Sequence, residues 1–135
     1  MKERPLIQAS QNQVLSLPAE TRFDANGIVS RTVLNTLNSR VILFGFAEGQ
    51  ELSEHTSTQH ALIQILSGEC EFSVEGTWRT LRTGDLLHMP PHTRHAVQAK
   101  QEFSMLLTLV KPSPDLSPAP ALNLAPPRAA QAAAD

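Results

Sequence analysis

The length of its apolar runs is the feature that most constrains the fold of this chain. Apolar residues recur in runs of about four to eight, most of them bounded by Gly, Pro, Asn or Asp. Runs of this length are typical of β-strands, whereas a surface helix repeats its apolar residues every three or four positions over a longer stretch. The pattern predicts an all-β domain. We predict eight strands, over residues 28–34, 41–46, 61–66, 70–74, 78–81, 86–89, 96–99 and 103–110.

The connections between the predicted strands are short and indicate antiparallel pairing. Cys70, Phe72 and Val74 alternate with polar residues, as in a strand with one buried face. Glu75 and Gly76 then turn the chain into the next strand, which is the pattern of a hairpin. About eight strands joined in this way are accommodated by an antiparallel jelly roll, and this is the fold class that we predict.

Composition divides the chain into three parts. Residues 111–135 hold six of the ten prolines together with many alanines and few large apolar residues. Such a segment cannot bury enough apolar surface to offset its loss of conformational entropy, so we expect a flexible tail. Residues 1–22 show no clear strand pattern and are predicted to form an N-terminal arm. The barrel domain is predicted to occupy residues 23–110.

Charge and composition exclude two classes of partner. Eleven Lys and Arg residues against thirteen Asp and Glu residues give a formal net charge of −2. The chain lacks the positive excess that neutralises a phosphate backbone, so we expect no nucleic acid partner. No apolar stretch approaches the roughly 18 residues that cross a bilayer, so we expect no membrane partner.

A single cysteine, Cys70, and an N-terminus without the apolar run of a signal peptide predict a cytoplasmic protein.

The five histidines are confined to about one third of the chain. All of them lie between residues 55 and 95, where an even distribution would place roughly 1.5. Imidazole is the commonest metal ligand among side chains and the commonest acid–base group near neutral pH. The clustering predicts a functional site formed among His55, His60, His88, His92 and His95.

The segment that begins at Gly49 resembles the first signature of the cupin family. That signature reads Gly, five residues, His, any residue, His, three or four residues, Glu, six residues, Gly. Gly49, His55 and Gly68 occupy matching positions. Ser57 replaces the second His, and Ala61 replaces the Glu. The signature is therefore present, but two of its ligand positions are changed.

A later segment resembles the second cupin signature, which reads Gly, five residues, Pro, any residue, Gly, two residues, His, and Asn four positions further on. Gly84, Pro90 and His95 match this pattern. His92 stands where Gly is usual, and Ala99 stands where Asn is usual. The segment between the two signatures has the length of the family's intermotif hairpin. The resemblance implies a jelly-roll cupin barrel, an antiparallel double-stranded β-helix.

The resemblance also implies a metal cofactor inside the barrel. In cupins the two His and the Glu of the first signature converge with the His of the second on a divalent metal. Imidazole and carboxylate ligands suit Mn, Fe, Ni, Cu or Zn. Here only His55 and His95 match ligand positions, so we expect other residues to replace the two lost ligands.

Three residues are candidates for the missing ligands. Gln59 shares a face with His55 if the strand runs unbroken from residue 55, and its amide oxygen can ligate a metal. His60 falls on the opposite face unless a β-bulge reverses it. His88 points into the barrel if its two strand neighbours pack outward. Each of His60, His88 and the loop residue His92 also has an ordinary interpretation, as a solvated or internally hydrogen-bonded histidine.

Two functions are compatible with these residues. The first is a metal-dependent enzyme that acts on a small polar organic molecule, with His55 and His95 among the metal ligands. The second is a metal-free, non-catalytic ligand-binding or sensor module, which is favoured by Ser57 and Ala61 at former ligand positions. Both predict a small-molecule ligand. Strand edges, together with the resemblance, also lead us to expect a homodimer.

Overall fold

The structure is a computed structural model, and it describes residues 4–113. Most of the predicted tail lies outside this range. Within the range no helix combines the length and the apolar character of a membrane span. The described elements are the short helix α1 (Leu17–Glu20) and the strands β1 (Val29–Asn35), β2 (Ser39–Phe46), β3 (Glu51–His55), β4 (His60–Ser67), β5 (Glu69–Val74), β6 (Thr77–Arg82), β7 (Leu86–Met89), β8 (His95–Gln98) and β9 (Phe103–Val110).

The strands form two antiparallel sheets. The first has the order β1-β2-β9-β4-β7, and the second has the order β3-β8-β5-β6. Several neighbours in the sheets, such as β2 and β9, are distant in sequence, as in a jelly roll. Apolar side chains from both sheets form one core cluster. The structure therefore confirms the predicted fold class.

Large apolar side chains that alternate along the strands build the centre of the core. Phe46 on β2 lies opposite Phe103 on β9, and their buried rings stack with centroids 4.6 Å apart. Phe72 on β5 is fully buried from the other sheet. Complete burial of a side chain of this size contributes roughly 1.5–3 kcal/mol. The period-two pattern read from the sequence is thus the pattern that assembles the core.

All eight predicted strands are present, and a ninth was not predicted. The ninth is β3, whose residues are mostly exposed. Its sequence, ELSEH, contains no apolar run, so the hydrophobic pattern does not mark it as a strand. It pairs with β8, and this pairing places His55 opposite His95. β3 is therefore held in place by its backbone pairing with β8 and not by the burial of its side chains.

Two glycines are required because a neighbouring backbone passes close to them. Gly68, between β4 and β5, has φ +70°, and a Cβ there would collide with the carbonyl oxygen of Glu102. Gly45, in β2, lies beside the segment that precedes β1, and a Cβ there would collide with the carbonyl oxygen of Arg22. Gly68 is also the final residue of the first signature, so this signature position has a structural role here.

The N-terminal arm lies along β1. The backbone N–H groups of Leu6 and Ile7 donate to the carbonyl oxygens of Thr32 and Val33, at 2.9 and 2.7 Å. The last residue of α1 forms an ion pair of 2.9 Å with the Arg31 side chain. Both backbone and side-chain contacts therefore attach the described part of the arm to the first sheet.

Candidate functional site

A cavity of about 220 Å³ opens among the inner faces of the strands. Twelve residues line it, and nine of them are apolar. The three polar residues are His55 at the end of β3, Ser57 in the loop that follows, and His95 at the start of β8. The apolar lining consists of Phe44, Leu52, Ala61, Ile63, Phe72, Val97, Met105, Leu107 and Leu109.

The two signature histidines lie side by side in this cavity. β3 and β8 pair in register at His55 and His95, after an irregularity in the pairing between Leu52 and His55. The ring centroids are 4.1 Å apart, with an angle of 59° between the ring planes. On its other side the His95 ring is nearly parallel to the Phe72 ring, at 6.1 Å. The two signature histidines therefore lie next to each other at one side of the cavity.

Each of these histidines is anchored by the backbone two residues before it. His55 Nδ1 lies 2.8 Å from the carbonyl oxygen of Ser53, and His95 Nδ1 lies 2.9 Å from that of Thr93. A carbonyl oxygen only accepts, so Nδ1 carries the proton and donates it in both contacts. In a neutral imidazole the lone pair is then on Nε2. The pair therefore offers two hydrogen-bond acceptors or two ligand nitrogens.

His95 is the more buried member of the pair, with 9% of its surface exposed. Burial lowers the pKa of His95 below its ordinary value of 6.5 because the charged ring loses hydration. The hydrogen bond to Thr93 opposes this effect on the pKa, and the positive charge that His55 can carry adds to it. His95 is therefore a neutral imidazole at pH 7, with its Nε2 lone pair available.

The expectation that His88 points into the barrel is wrong. It required the two neighbours of His88 in β7 to pack outward, but Met89 is 1% exposed and belongs to the core, and Leu87 packs against the same core. Since side chains alternate along a strand, His88 points outward and is exposed. His60 also faces outward, because its neighbour Ala61 is buried and lines the cavity. The two outward histidines contact each other instead of the cavity.

Gln59 does not join the signature histidines either. The expectation assumed one regular strand from residue 55, whereas β3 ends at His55 and β4 begins at His60. The intervening loop breaks the alternation, so Gln59 lines a separate surface depression near Asn38 and Lys111. Ser57 does line the cavity, and its hydroxyl accepts a hydrogen bond of 3.1 Å from the Gln59 N–H.

The backbone of His92 connects the loop before β8 to the loop that contains Ser57, beside the cavity. Its N–H donates to the carbonyl oxygen of Ser57 at 2.7 Å, and its φ is +70°. This left-handed conformation suits the Gly that the second signature has at this position. The side chain of His92 does not line the cavity. The fifth histidine is therefore part of the loop structure and not of the candidate site.

The described residues do not fit the metal that the cupin resemblance implies. Within residues 4–113 no group of three or more His, Cys, Asp or Glu side chains is placed to hold an ion. Ala61, at the position of the family's Glu, lines the cavity with a methyl group. His55 and His95 supply two nitrogens, whereas a transition metal held as a resident cofactor usually has three or four protein ligands. Two imidazole nitrogens and the methyl group of Ala61 therefore do not form a site for a resident metal in the cavity.

The single thiol belongs to the core rather than to a site. Cys70 is 2% exposed. Burial raises the pKa of Cys70 to about 12, and the negative charges of Glu71 and Glu69 add to the shift. Because the thiolate is the nucleophilic form, this cysteine is unreactive at neutral pH.

Sequence reasoning missed most of the apolar wall. Phe44, Met105, Leu107 and Leu109 line the cavity from β2 and β9. Their spacing of two along a strand was visible in the sequence, but strand alternation alone does not say which inward residues border a cavity and which fill the core. Met105, for example, is as deeply buried as many core residues, at 2% exposure.

Comparison with known proteins identifies the family of this chain. The cupin domain family matches residues 42–111, which is just over half of the chain. The chain belongs to the cupin family. This match includes both histidines of the pair and confirms the resemblance found in the two signatures.

Solved structures support the same assignment. A conserved protein of unknown function from Streptococcus pyogenes superposes with a TM-score of 0.71 at 30% identity, over 84% of this chain and 97% of that one. A cupin superfamily protein from Desulfitobacterium hafniense superposes with a TM-score of 0.69 at 27% identity, over 76% of this chain and 94% of that one. Both comparisons extend over nearly the whole of the other chain.

A protein of known activity is also similar to this cupin. The pyrimidine/purine nucleoside phosphorylase of Wolinella succinogenes is 29% identical over 98 residues. The similarity covers 71% of this chain and 90% of the phosphorylase. The chain is therefore similar in sequence, over most of its length, to a protein that is named for its action on nucleosides.

Proposed function

We propose that this cupin binds a small organic molecule in the cavity, without a resident metal. The apolar body of the molecule lies against the apolar wall, and a hydrogen-bond-donating head contacts His55 and His95. The observation that carries the proposal is the composition of the lining, in which nine of twelve residues are apolar and the histidine pair is the main polar feature. Concave apolar sites with few polar groups are typical of small-molecule binding.

The size of the cavity limits the size of the ligand. Its volume of about 220 Å³ is below the range of about 300–1,000 Å³ in which drug-sized molecules bind. A single substituted ring or a short branched chain fits a cavity of this smaller volume. The proposal therefore differs in two respects from the metal-dependent function predicted from the sequence, because the site holds no resident metal and the body of the ligand is apolar rather than polar.

The histidine pair determines which head group fits. Both rings donate Nδ1–H to their own backbone, so in the neutral state they present only Nε2 acceptors. A hydroxyl or amino group can donate to these atoms. A carboxylate or a phosphate offers further acceptors, and the lining contains no Lys or Arg to compensate its charge. We therefore expect alcohols, phenols or amines to bind in preference to anions.

The phosphorylase activity of the Wolinella relative is not part of the proposal. Phosphorolysis requires inorganic phosphate next to the nucleoside, and phosphate sites in proteins use Arg, Lys or a row of backbone N–H groups. The cavity has no Arg or Lys in its lining. Incubation with pyrimidine and purine nucleosides plus phosphate is a direct test. Base release that disappears in His95→Gln would replace our proposal with this activity.

Methionine methyl groups give a direct test of binding. Met105 lines the cavity, whereas Met89 is buried in the core and does not line it. In protein labelled with ¹³C at the methionine methyl groups, titration with single-ring alcohols, phenols and amines is expected to shift the Met105 resonance and leave that of Met89 in place. If no compound of the series shifts Met105, the proposal is wrong.

Matched ligands and variants test the details. Benzoates of the same size as the alcohols should bind at least about tenfold more weakly, because their head group cannot donate to the histidines. Ala61→Leu fills the cavity and should abolish binding, whereas His60→Gln, outside the cavity, should leave binding unchanged. Equal binding of benzoates would contradict the assignment of the head group while leaving the cavity itself supported.

The metal-dependent function expected from the sequence is the alternative. One observation favours it, since metal-ligating histidines usually donate their other N–H to a carbonyl oxygen or carboxylate, as His55 and His95 do. Metal analysis after loading with Mn, Fe, Ni, Cu or Zn distinguishes the two. A stoichiometric metal that is lost in His55→Ala and in His95→Ala would contradict the metal-free site that we propose.

A further inference from the structure

A second histidine pair lies outside the cavity, on the outer face of the first sheet. We propose that His60 and His88 form a clip for one exchangeable divalent transition-metal ion, such as Zn²⁺, Ni²⁺ or Cu²⁺. His60 Nδ1 and His88 Nε2 are 3.2 Å apart, in a solvent-exposed contact. Neither residue lines the cavity, so the clip is independent of the proposed small-molecule site.

Strand pairing holds the two side chains next to each other. In the register of β4 and β7, Leu62 lies opposite His88 and Ala61 lies opposite Met89. Ala61 and Met89 are buried, so the alternating side chains of His60 and His88 share the outer face. Their rings are nearly parallel, with 17° between the planes and 5.4 Å between the centroids. Two regular strands, rather than a loop, therefore set the spacing of the nitrogens.

The spacing suits a tetrahedral ion. Zn–N bonds are about 2.0–2.1 Å long, so two nitrogens at a tetrahedral angle are about 3.3–3.4 Å apart. The observed separation is 3.2 Å. In the free protein one imidazole donates its N–H to the other. When the ion binds, that proton moves through solvent to the second nitrogen of its ring. Both facing nitrogens then offer lone pairs and each imidazole stays neutral.

The clip differs from the cavity pair in having no buried member, since His95 of the cavity pair is only 9% exposed. An ion held by His60 and His88 can complete its coordination with solvent, because the contact between the rings is exposed. Within residues 4–113 no third His, Cys, Asp or Glu side chain completes a metal-binding group. The site therefore binds an exchangeable ion and not a resident cofactor. Affinity should rise from Zn²⁺ or Ni²⁺ to Cu²⁺, as it does for nitrogen ligands in general.

Titration of the full chain with Zn²⁺ and Ni²⁺ tests the clip. By calorimetry we expect one ion per chain, with a dissociation constant below about 0.1 mM. His60→Gln and His88→Gln should each weaken binding at least about tenfold. The matched controls are His92→Gln, which removes a histidine outside both pairs, and the double variant His55→Gln/His95→Gln, which removes the cavity pair. Both controls should bind the ion like the wild type.

Imidazole nitrogen resonances give the second readout. In ¹⁵N-histidine protein, Zn²⁺ should shift the facing nitrogens of His60 and His88 and leave those of His55, His92 and His95 unchanged. A cooperative urea unfolding transition shows that each variant is folded. The proposal is overturned if the wild type binds no ion tighter than about 1 mM, if binding survives in the double variant His60→Gln/His88→Gln, or if it is lost in the cavity double variant.

Discussion

His95 is a residue through which pH acts on the stability of the protein near neutrality. Burial holds the pKa of His95 below its ordinary value of 6.5, and the nearby His55 adds to the effect. The unfolded chain takes up a proton with the ordinary pKa, whereas the folded chain resists protonation. The contribution of neutral His95 to stability is therefore complete above pH 6.5 and is lost as the pH falls through the lower, folded pKa.

The first prediction is a loss of stability on mild acidification that depends on His95. The free energy of unfolding, measured with urea, should fall between about pH 7.5 and about pH 5. In His95→Gln the fall should be smaller, because the group that resists protonation is absent. His92→Gln is the control and should keep the slope of the wild type. An identical slope in His95→Gln would contradict the assignment.

The second prediction concerns the backbone of His92. Its φ of +70° costs a residue with a Cβ roughly 1–2 kcal/mol, a cost that glycine avoids. Glycine in turn gives the unfolded chain more freedom, which offsets about 0.4–1 kcal/mol. We expect His92→Gly to be more stable than His92→Ala by about 0.5–1 kcal/mol in thermal or urea unfolding. Equal stability of these two variants would show that the loop carries no such strain.

At the scale of the elements, the sequence predicted the strands better than it predicted the positions of the site residues. Eight strands follow from apolar alternation, but β3 does not, because only its pairing with β8 defines it. The break between β3 and β4 places Gln59 in a loop, where strand alternation no longer determines its direction. The direction of His88 depends on which of two apolar faces of β7 is buried, and alternation alone does not distinguish them. His55 and His95 were identified because a family signature, rather than periodicity, marked them.

The third prediction belongs to the junction of β4 and β5. Gly68→Ala should destabilise the protein by more than about 2 kcal/mol, because a positive φ and a collision with the Glu102 carbonyl add together. Gly76→Ala is the matched control, since Gly76 has φ +84° and nothing near the new Cβ, and it should cost roughly 1 kcal/mol. Urea unfolding of both variants measures the difference. A cost for Gly68→Ala no greater than that for Gly76→Ala would show that the junction can relax.

At the scale of the whole molecule, the two histidine pairs are separate because opposite faces of β4 take part in them. Ala61 faces the cavity together with His55 and His95, and its neighbour His60 faces outward to His88. Ligand binding and ion binding should therefore be independent of each other.

The homodimer and the cytoplasmic location expected from the sequence stay predictions. Sedimentation at micromolar concentration should give twice the mass of the chain, and a monomer would contradict the former.

The fourth prediction concerns the N-terminal arm as a unit. Removal of residues 1–22 should lower stability and make the protein aggregate, as measured by unfolding and by light scattering at increasing concentration. Gly45→Ala is a smaller change with a related effect, because its Cβ would collide with the Arg22 backbone where the arm meets β2. If the truncated chain stays monodisperse and as stable as the full chain, the contacts of the arm contribute little to stability or to the prevention of aggregation.

The reason for this expectation is the position of β1 at the end of its sheet. An end strand presents unpaired N–H and C=O groups, which can template the addition of a strand from another molecule. Leu6 and Ile7 donate to two of the β1 carbonyl groups, so part of this template is already in use. At the opposite end β7 has only four residues and offers little length for pairing. The arm thus covers part of the exposed edge of β1. It thereby limits the addition of strands from other molecules, which would otherwise extend the sheet into a polymer.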